Sequence, residues 1–363
     1  MSKQKPMYMN IDQCVDHIVK IYGNHITIGM PLGLGKPVPL INALYQRAKK
    51  NPQIHLSIFT ALSLEKPIPS TDLEKRLMGP FLERNFNGVP DLDYMLDLRT
   101  TGVPDNIRIH ELYTKAGAYK NDARMQQDYM STNYTHTVRD VSIHDNRVFA
   151  QIIAKSETGD RVKYSTSCNA DTALETIAKF AQLKKKGFNQ LTIGVVNTHL
   201  PFMYGDAEVD PEAYDIIIDD PALYHPLFIA PRQPVSIPDF MIGFHVSTLI
   251  KDSGTLQIGI GALGDSVAYN LHLRHNENSA YNALVAASGA GEKYPDLIAR
   301  TGGTGVFDEG LYGSTEMLVD GFLQLYKNGV IKRRVYHHIG IQKLINDGKL
   351  TMEIPRNILQ MML

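Results

Sequence analysis

The stretch His25-Ile-Thr-Ile-Gly29-Met-Pro-Leu-Gly33-Leu-Gly35-Lys36-Pro37 runs into Pro39-Leu-Ile-Asn-Ala-Leu-Tyr-Gln-Arg-Ala48 and then Gln53-Ile-His-Leu-Ser-Ile-Phe-Thr60. Its periodicity reads as strand, glycine turn, helix, strand, so residues 23–60 form a βαβ unit and imply a parallel sheet. The turn is not a Walker A loop, because Met30 stands where glycine is required and Pro37 follows the lysine. Two readings of it remain: a phosphate-facing turn, or a tight turn under a helix opened by proline.

The neighbouring segments keep the same rhythm. Residues 10–22 read as an amphipathic helix capped by Asn10 or Asp12 and stopped by Gly23. Residues 65–104 are an excursion with a helix near 71–85, and a strand follows over 106–113. His110-Glu111 starts like a zinc-protease motif, but Thr114 occupies the second histidine's position. The polar and aromatic segment from Asp128 to Asp140 either lines a cleft or satisfies itself as a packed loop. Strands at 148–154, 164–168 and 191–197 and a helix from Asp171 to about Lys186 complete an α/β half spanning 1–205. Residues 206–237 concentrate acids and prolines and read as an acidic linker. A calcium loop there is excluded by Pro211, which sits where the turn needs glycine.

From 238 to 363 the plan restarts as a second, similar α/β domain. A helix near 238–251 precedes the strand and glycine run Thr255-Leu-Gln-Ile-Gly259-Ile-Gly261-Ala-Leu-Gly264, which opens a helix at Asp265. The G-x-G-x-x-G pattern makes an NAD-dependent oxidoreductase one reading. About 20 residues further on, however, where a ribose-binding acid belongs, the chain reads Ala-Leu-Val-Ala-Ala-Ser-Gly. No G-x-S-x-G elbow occurs. Residues 275–309 read as a flap or decorated loop, and Val330 to Val335 as a strand with a short basic run.

Between these lies Gly310-Leu-Tyr-Gly-Ser-Thr-Glu316-Met-Leu-Val-Asp-Gly-Phe-Leu-Gln-Leu-Tyr-Lys-Asn-Gly329. Ser314 or Thr315 as cap, with Leu318, Phe322, Leu325 and Tyr326 on one face, predicts a helix ending at Gly329 and places Glu316 in its first turn. Helix dipoles favour an acid there for stability alone. Neither Ser314 nor Thr315 is followed by an acid three residues later, so no capping box engages Glu316, which is the candidate nucleophile.

Composition narrows the function class. Net charge is -1, with 21% charged residues, which gives no footprint for nucleic acid or an anionic membrane. Two distant cysteines, Cys14 and Cys168, make neither a disulfide framework nor a zinc site, and the expectation is a cytoplasmic protein with no metal and no membrane span.

Taken together, ITIGMPLGLGKPVPLINAL, YMSTNYTHTVRD, NTHLPFMYGDAEV, GTLQIGIGALGDSV and GLYGSTEMLVDGF resemble the acetyl-CoA hydrolase/transferase family of class I CoA-transferases across nearly the whole chain. The resemblance implies two open α/β domains of NagB/RpiA-like type. It implies CoA contacts at Gly259, Ile260, Gly261, Ala262, Leu263 and Gly264, and a glutamyl-CoA thioester on Glu316. CoA would be a substrate, with no tightly bound cofactor, a small carboxylate or water the acceptor, acetate metabolism the setting, and a homodimer left open. It also implies a later glycine-rich G-G-x-G-G segment that residues 1–363 do not contain, so the second domain is expected to be incomplete and to leave apolar sheet surface for a longer chain or partner to cover. A non-catalytic CoA-binding fragment is the further alternative.

Overall fold

The computed structural model describes residues 5–158, 161–228, 233–315, 317–336, 338–351 and 353. It divides into two compact units, Met1–Ala230 and Pro231–Leu363.

The first unit is built on a nine-stranded sheet: β1 (Met7–Tyr8), β2 (His25–Gly29), β3 (His55–Thr60), β4 (Ile107–Glu111), β5 (Val148–Thr158), β6 (Arg161–Ser165), β7 (Leu191–Val196), β8 (Glu208–Val209) and β9 (Ile216–Ile218). Its helices are α1 (Ile11–Tyr22), α2 (Val38–Lys50), α3 (Asp72–Phe86), α4 (Asp93–Arg99), α5 (Ala123–Gln127), α6 (Thr137–Ile143) and α7 (Ala170–Lys185). The order β1-β9-β7-β5-β2-β3-β4 is parallel at every pairing, while β6 and β8 extend it antiparallel. After β2 the chain steps outward through β3 and β4, then returns to β5 on the other side of β2. The β2–β5 boundary is therefore the switch point of the sheet.

Local sequence explains these elements. Asn10 and Gln13 form a capping box at α1, Gly23 ends it at φ 63°, and Cys14, Val15, Ile18 and Tyr22 turn its apolar face inward. β7 is buried along its whole length, as expected for the apolar run LTIGVV in the middle of a parallel sheet. Asn169, not Asp171, is the N-cap residue of α7.

The linker expected over 206–237 is corrected by β9, which lies inside the sheet between β1 and β7. The acids that made the stretch look solvated are paired: Asp215 with Lys184 at 2.5 Å and Asp219 with Lys155 at 2.8 Å. They flank a fully buried Ile216-Ile-Ile218, which three residues are enough to make into an inner strand.

The second unit contains α8 (Ile237–Thr248), β10 (Thr255–Gln257), α9 (Ala262–Asn276), α10 (Asn278–Ser288), α11 (Ala290–Lys293), α12 (Pro295–Thr301), β11 (Tyr312–Ser314), α13 (Asp320–Lys327) and α14 (Ile339–Asn346). Among the described residues its sheet is the parallel pair β10–β11, with one further bridge from Leu311 to Ile331. The flap expected over 275–309 is instead largely helical, because Tyr281 and Val285 of α10 bury against Phe244 of α8. The strand expected over 330–335 is reduced to that single bridge.

Two polar residues hold this smaller unit. Arg274 is almost fully buried and donates to the carbonyls of Gly305, Ser247 and Ile250 at 2.7, 2.9 and 2.6 Å. The Asp252 carboxylate accepts from the backbone N–H groups of Ser253, Asp308, Glu309 and Gly310 at 2.9–3.0 Å, which fixes the turn leading into β11. Burial works against that charge, but the backbone donors outweigh it and hold the carboxyl below its ordinary range.

Candidate active site

β10 and β11 run parallel in register, Thr255 opposite Tyr312 and Gln257 opposite Ser314, so the turns that leave their C-terminal ends emerge side by side. In open α/β sheets such ends are where ligands bind.

The first turn is the glycine run. Gly259 and Gly261 have open space where a Cβ would stand, and Gly261 adopts φ 123°, which favours glycine. Gly264 is different. A Cβ there would lie 2.5 Å from the Gly259 carbonyl oxygen, so its lack of a side chain lets the turn fold down on the first turn of α9. No side chain caps α9, leaving its first-turn amides without a side-chain partner. The turn stands in the open: Ile260 is 64% and Leu263 45% exposed. Backbone donors, a helix N-terminus and exposed apolar side chains suit a ligand that is anionic at one end and apolar at the other. Asp265, exposed in the same first turn, draws on the same dipole and limits the charge the turn can attract.

The second turn follows β11. Thr315 donates its hydroxyl to the Ile258 carbonyl at 2.9 Å and lies 2.6 Å from the Met317 carbonyl. Thr315, on one side of position 316, thus reaches both the residue before the glycine run and Met317 on the other side. Glu316 itself lies outside the described residues. The helix that follows starts at Asp320 with Val319 as its N-cap residue, so neither Ser314 nor Thr315 caps it. Ser314 is committed to pairing with Gln257, and Thr315 to the two carbonyls. The buried face shifts accordingly to Val319, Phe322 and Leu325, while Leu318 and Tyr326 are exposed. α13 approaches α9 closely at Gly321, where a Cβ would come within 2.9 Å of the Ala268 methyl. Thr315 and Gly321 are site-building residues that helix periodicity did not single out. The signal that finds them is the register of two short strands.

The glycine turn of the first unit is packed at Gly35 and Lys36, while Gly33, at φ 55° with open space where a Cβ would stand, lines a cavity of about 60 Å³. Lys36 is 4% exposed and its ammonium donates to the carbonyls of Pro31 and Ala61 at 3.2 and 2.5 Å, joining the ends of β2 and β3. A Cβ on Gly35 would meet Asn169 at 2.5 Å. In the segment 128–140, Asp140 pairs with Arg139 and Thr132 inside the segment, Asp128 pairs with Arg108 of β4, and Thr137 and Val138 line a cavity of the first unit. The dinucleotide reading of Gly259–Gly264 loses its second strand, since the residues about 20 positions on lie in α10.

Among the described residues no cluster of His, Cys, Asp and Glu is arranged to hold a metal ion, and no helix is long and apolar enough to cross a membrane.

No family model matches the chain. It is 27% identical to the 4-hydroxybutyrate coenzyme A transferase of Clostridium kluyveri over 165 residues, a match covering 45% of this chain and 28% of that protein. Among solved structures, RipA from Yersinia pestis superposes with a TM-score of 0.56 at 17% identity, over 90% of this chain and 59% of RipA. A point variant of RipA gives 0.55 at 18% identity over 90% of this chain and 58% of its own. The chain therefore spans little more than half the length of the solved structures it matches. The fold is α/β with a large parallel sheet, similar to that of RipA, and over 165 residues the sequence is similar to a CoA-transferase.

Proposed function

We propose that this CoA-transferase-like chain carries the nucleophile of an acyl-CoA-processing enzyme, which moves CoA from an acyl-CoA to a small carboxylate or to water. The observation that carries the reading is the Thr315 hydroxyl on the Ile258 carbonyl at 2.9 Å, which couples the residue before Glu316 to the residue before the exposed glycine turn. The similarity to a CoA-transferase in sequence supports it.

The chemistry suits a glutamate. With an ordinary pKa near 4.3, its carboxylate is ionised at neutral pH and needs no general base. Attack of the carboxylate on the thioester carbonyl expels CoA thiolate and leaves an acyl-glutamyl anhydride. The thiolate then attacks the glutamyl carbonyl, releasing the acyl group as a carboxylate and leaving glutamyl-CoA. A second carboxylate reverses the two steps and departs as the new acyl-CoA; water instead gives free CoA and the original glutamate. Amides at Ala262–Gly264 and the bared turn would hold phosphate or the oxyanion of each tetrahedral intermediate, and Ile260 and Leu263 would lie along the pantetheine. Binding of the remote parts of CoA supplies the free energy that drives this path.

Thiol release from acetyl-CoA, measured with and without acetate and propionate, tests the activity and separates its two forms. Release that needs a carboxylate and yields its CoA ester is transfer; release without one is hydrolysis. No release from this chain or from a longer form containing it contradicts the reading. A non-catalytic CoA-binding role would then be left, with retained CoA binding as its sign. An oxidoreductase is disfavoured by the missing second strand.

A further inference from the structure

The turn that feeds β11 is held by side chains of different chemistry. Arg274 Nε donates to the Gly305 carbonyl at 2.7 Å, and the Asp252 carboxylate takes the amides of Asp308, Glu309 and Gly310. Between them, the backbone N–H of Phe307 donates to Nδ1 of His275 at 3.1 Å. Arg274 and His275 are consecutive in the last turn of α9, and Phe307 is fully buried, with the Arg274 guanidinium 4.3 Å from its ring centre.

A backbone N–H can only donate, so Nδ1 of His275 carries a lone pair and the neutral ring bears its proton on Nε2. Nε2 lies toward Gly329, where a Cβ would stand 3.8 Å from it. A second proton therefore goes to Nδ1, where it ends the bond and leaves the Phe307 N–H facing another donor. Burial holds the His275 pKa below its ordinary value, and Lys332 and His272 of the same helix act in the same direction, while Asp252 and Asp308 pull it up. Arg274 stays charged across the neutral and mildly acidic range, and so does Asp252, whose carboxyl is held below its ordinary range.

We infer that His275 is a proton-operated latch on residues 305–310: neutral, it holds the turn into β11, and protonated, it releases the Phe307 amide while Arg274 and Asp252 stay engaged. The folded-state pKa lies below the unfolded value of about 6.5, so the latch contributes fully above that pH and is lost as pH falls through 6.5 toward the folded value. The inference does not depend on the role of Glu316 or on what the glycine run binds.

Hydrogen exchange of the full chain at about pH 7.5 and pH 4.5, corrected for the intrinsic pH dependence of exchange, reads the latch at the Phe307 amide. Protection there falls about tenfold or more on acidification of the wild type, the worth of about one buried hydrogen bond. His275→Asn places Oδ1 where Nδ1 stood, accepts the same N–H without titrating, and keeps the protection at both pH values. Unchanged protection in the wild type, or an equal loss in the folded variant, overturns the inference. Should His275→Asn fail to fold, 15N NMR of the histidine-labelled wild type decides: Nδ1 of His275 is unprotonated at the higher pH and protonated at the lower. A proton already on Nδ1 at the higher pH, or a ring still neutral at the lower, overturns it.

Discussion

The two glycine turns share a sequence grammar and differ in what surrounds them. The Gly35-Lys36 end of the first turn is packed under its own unit, with a buried lysine tying two strand ends and no room for a Cβ at Gly35. The turn of Gly259, Ile260 and Gly261 is open, and the helix after it has no side-chain cap. Strand, glycines and helix thus specify a shape of backbone, not its use. At Gly35 the protein's own side chains fill the space a Cβ would need, whereas at Gly259 and Gly261 that space is open. The cores differ in the same direction. The first unit rests on a wide apolar cluster from Cys14 to Ile218, whereas the second has a small one and leans on Arg274 and Asp252.

Substitutions sharpen this contrast, beginning with the largest expected effect. Arg274→Met strands three carbonyls in the interior of the second unit and should destabilise it by about 3 kcal/mol or more, read from chemical denaturation. Little change would mean that the unit does not depend on this hub. Gly35→Ala forces a methyl into Asn169 and Pro31 and should cost about 1–3 kcal/mol in the first unit. Gly259→Ala meets nothing and should leave stability within about 0.5 kcal/mol while weakening CoA binding, a split that reverses the behaviour of Gly35. If both alanines behave alike, the distinction between a packed and an open turn is wrong.

Acidification should act on the second unit. The folded-state pKa of Asp252 is depressed, so its contribution is complete above the unfolded carboxyl pKa of about 3.9 and is lost as pH falls through the lower folded value. Melting between pH 5 and pH 3 should therefore show a loss for the wild type that Asp252→Asn reduces. An identical pH slope for both proteins would remove Asp252 as the cause.

Much of the fold was legible because local signals agreed. Asn10, the apolar spacing after it and Gly23 define α1, and the alternation of residues 55–60 defines β3. The sequence was misleading where charge hid burial, as at Ile216–Ile218 between paired acids, and where tertiary contacts decided the outcome. The tract 275–309 looked loop-like from its Asn, Ser and Gly content, yet α10 forms because Tyr281 and Val285 find Phe244. At the candidate site, the glycine turn could be read directly from residues 259–264. The helix start could not: Val319 caps without a side-chain hydrogen bond, and the engagement of Thr315 with Ile258 depends on strand register 57 positions apart.

The central claim is that Glu316 becomes a thioester of CoA. The direct measurement is peptide mass spectrometry after incubation with acyl-CoA and reduction by borohydride, on this chain or a longer form with turnover. The account predicts an alcohol at Glu316 in the wild type, none in Glu316→Gln or Glu316→Asp, and activity lost in both variants, since near-attack geometry tolerates little displacement. Turnover with no modification at Glu316, or undiminished activity in Glu316→Gln, contradicts it.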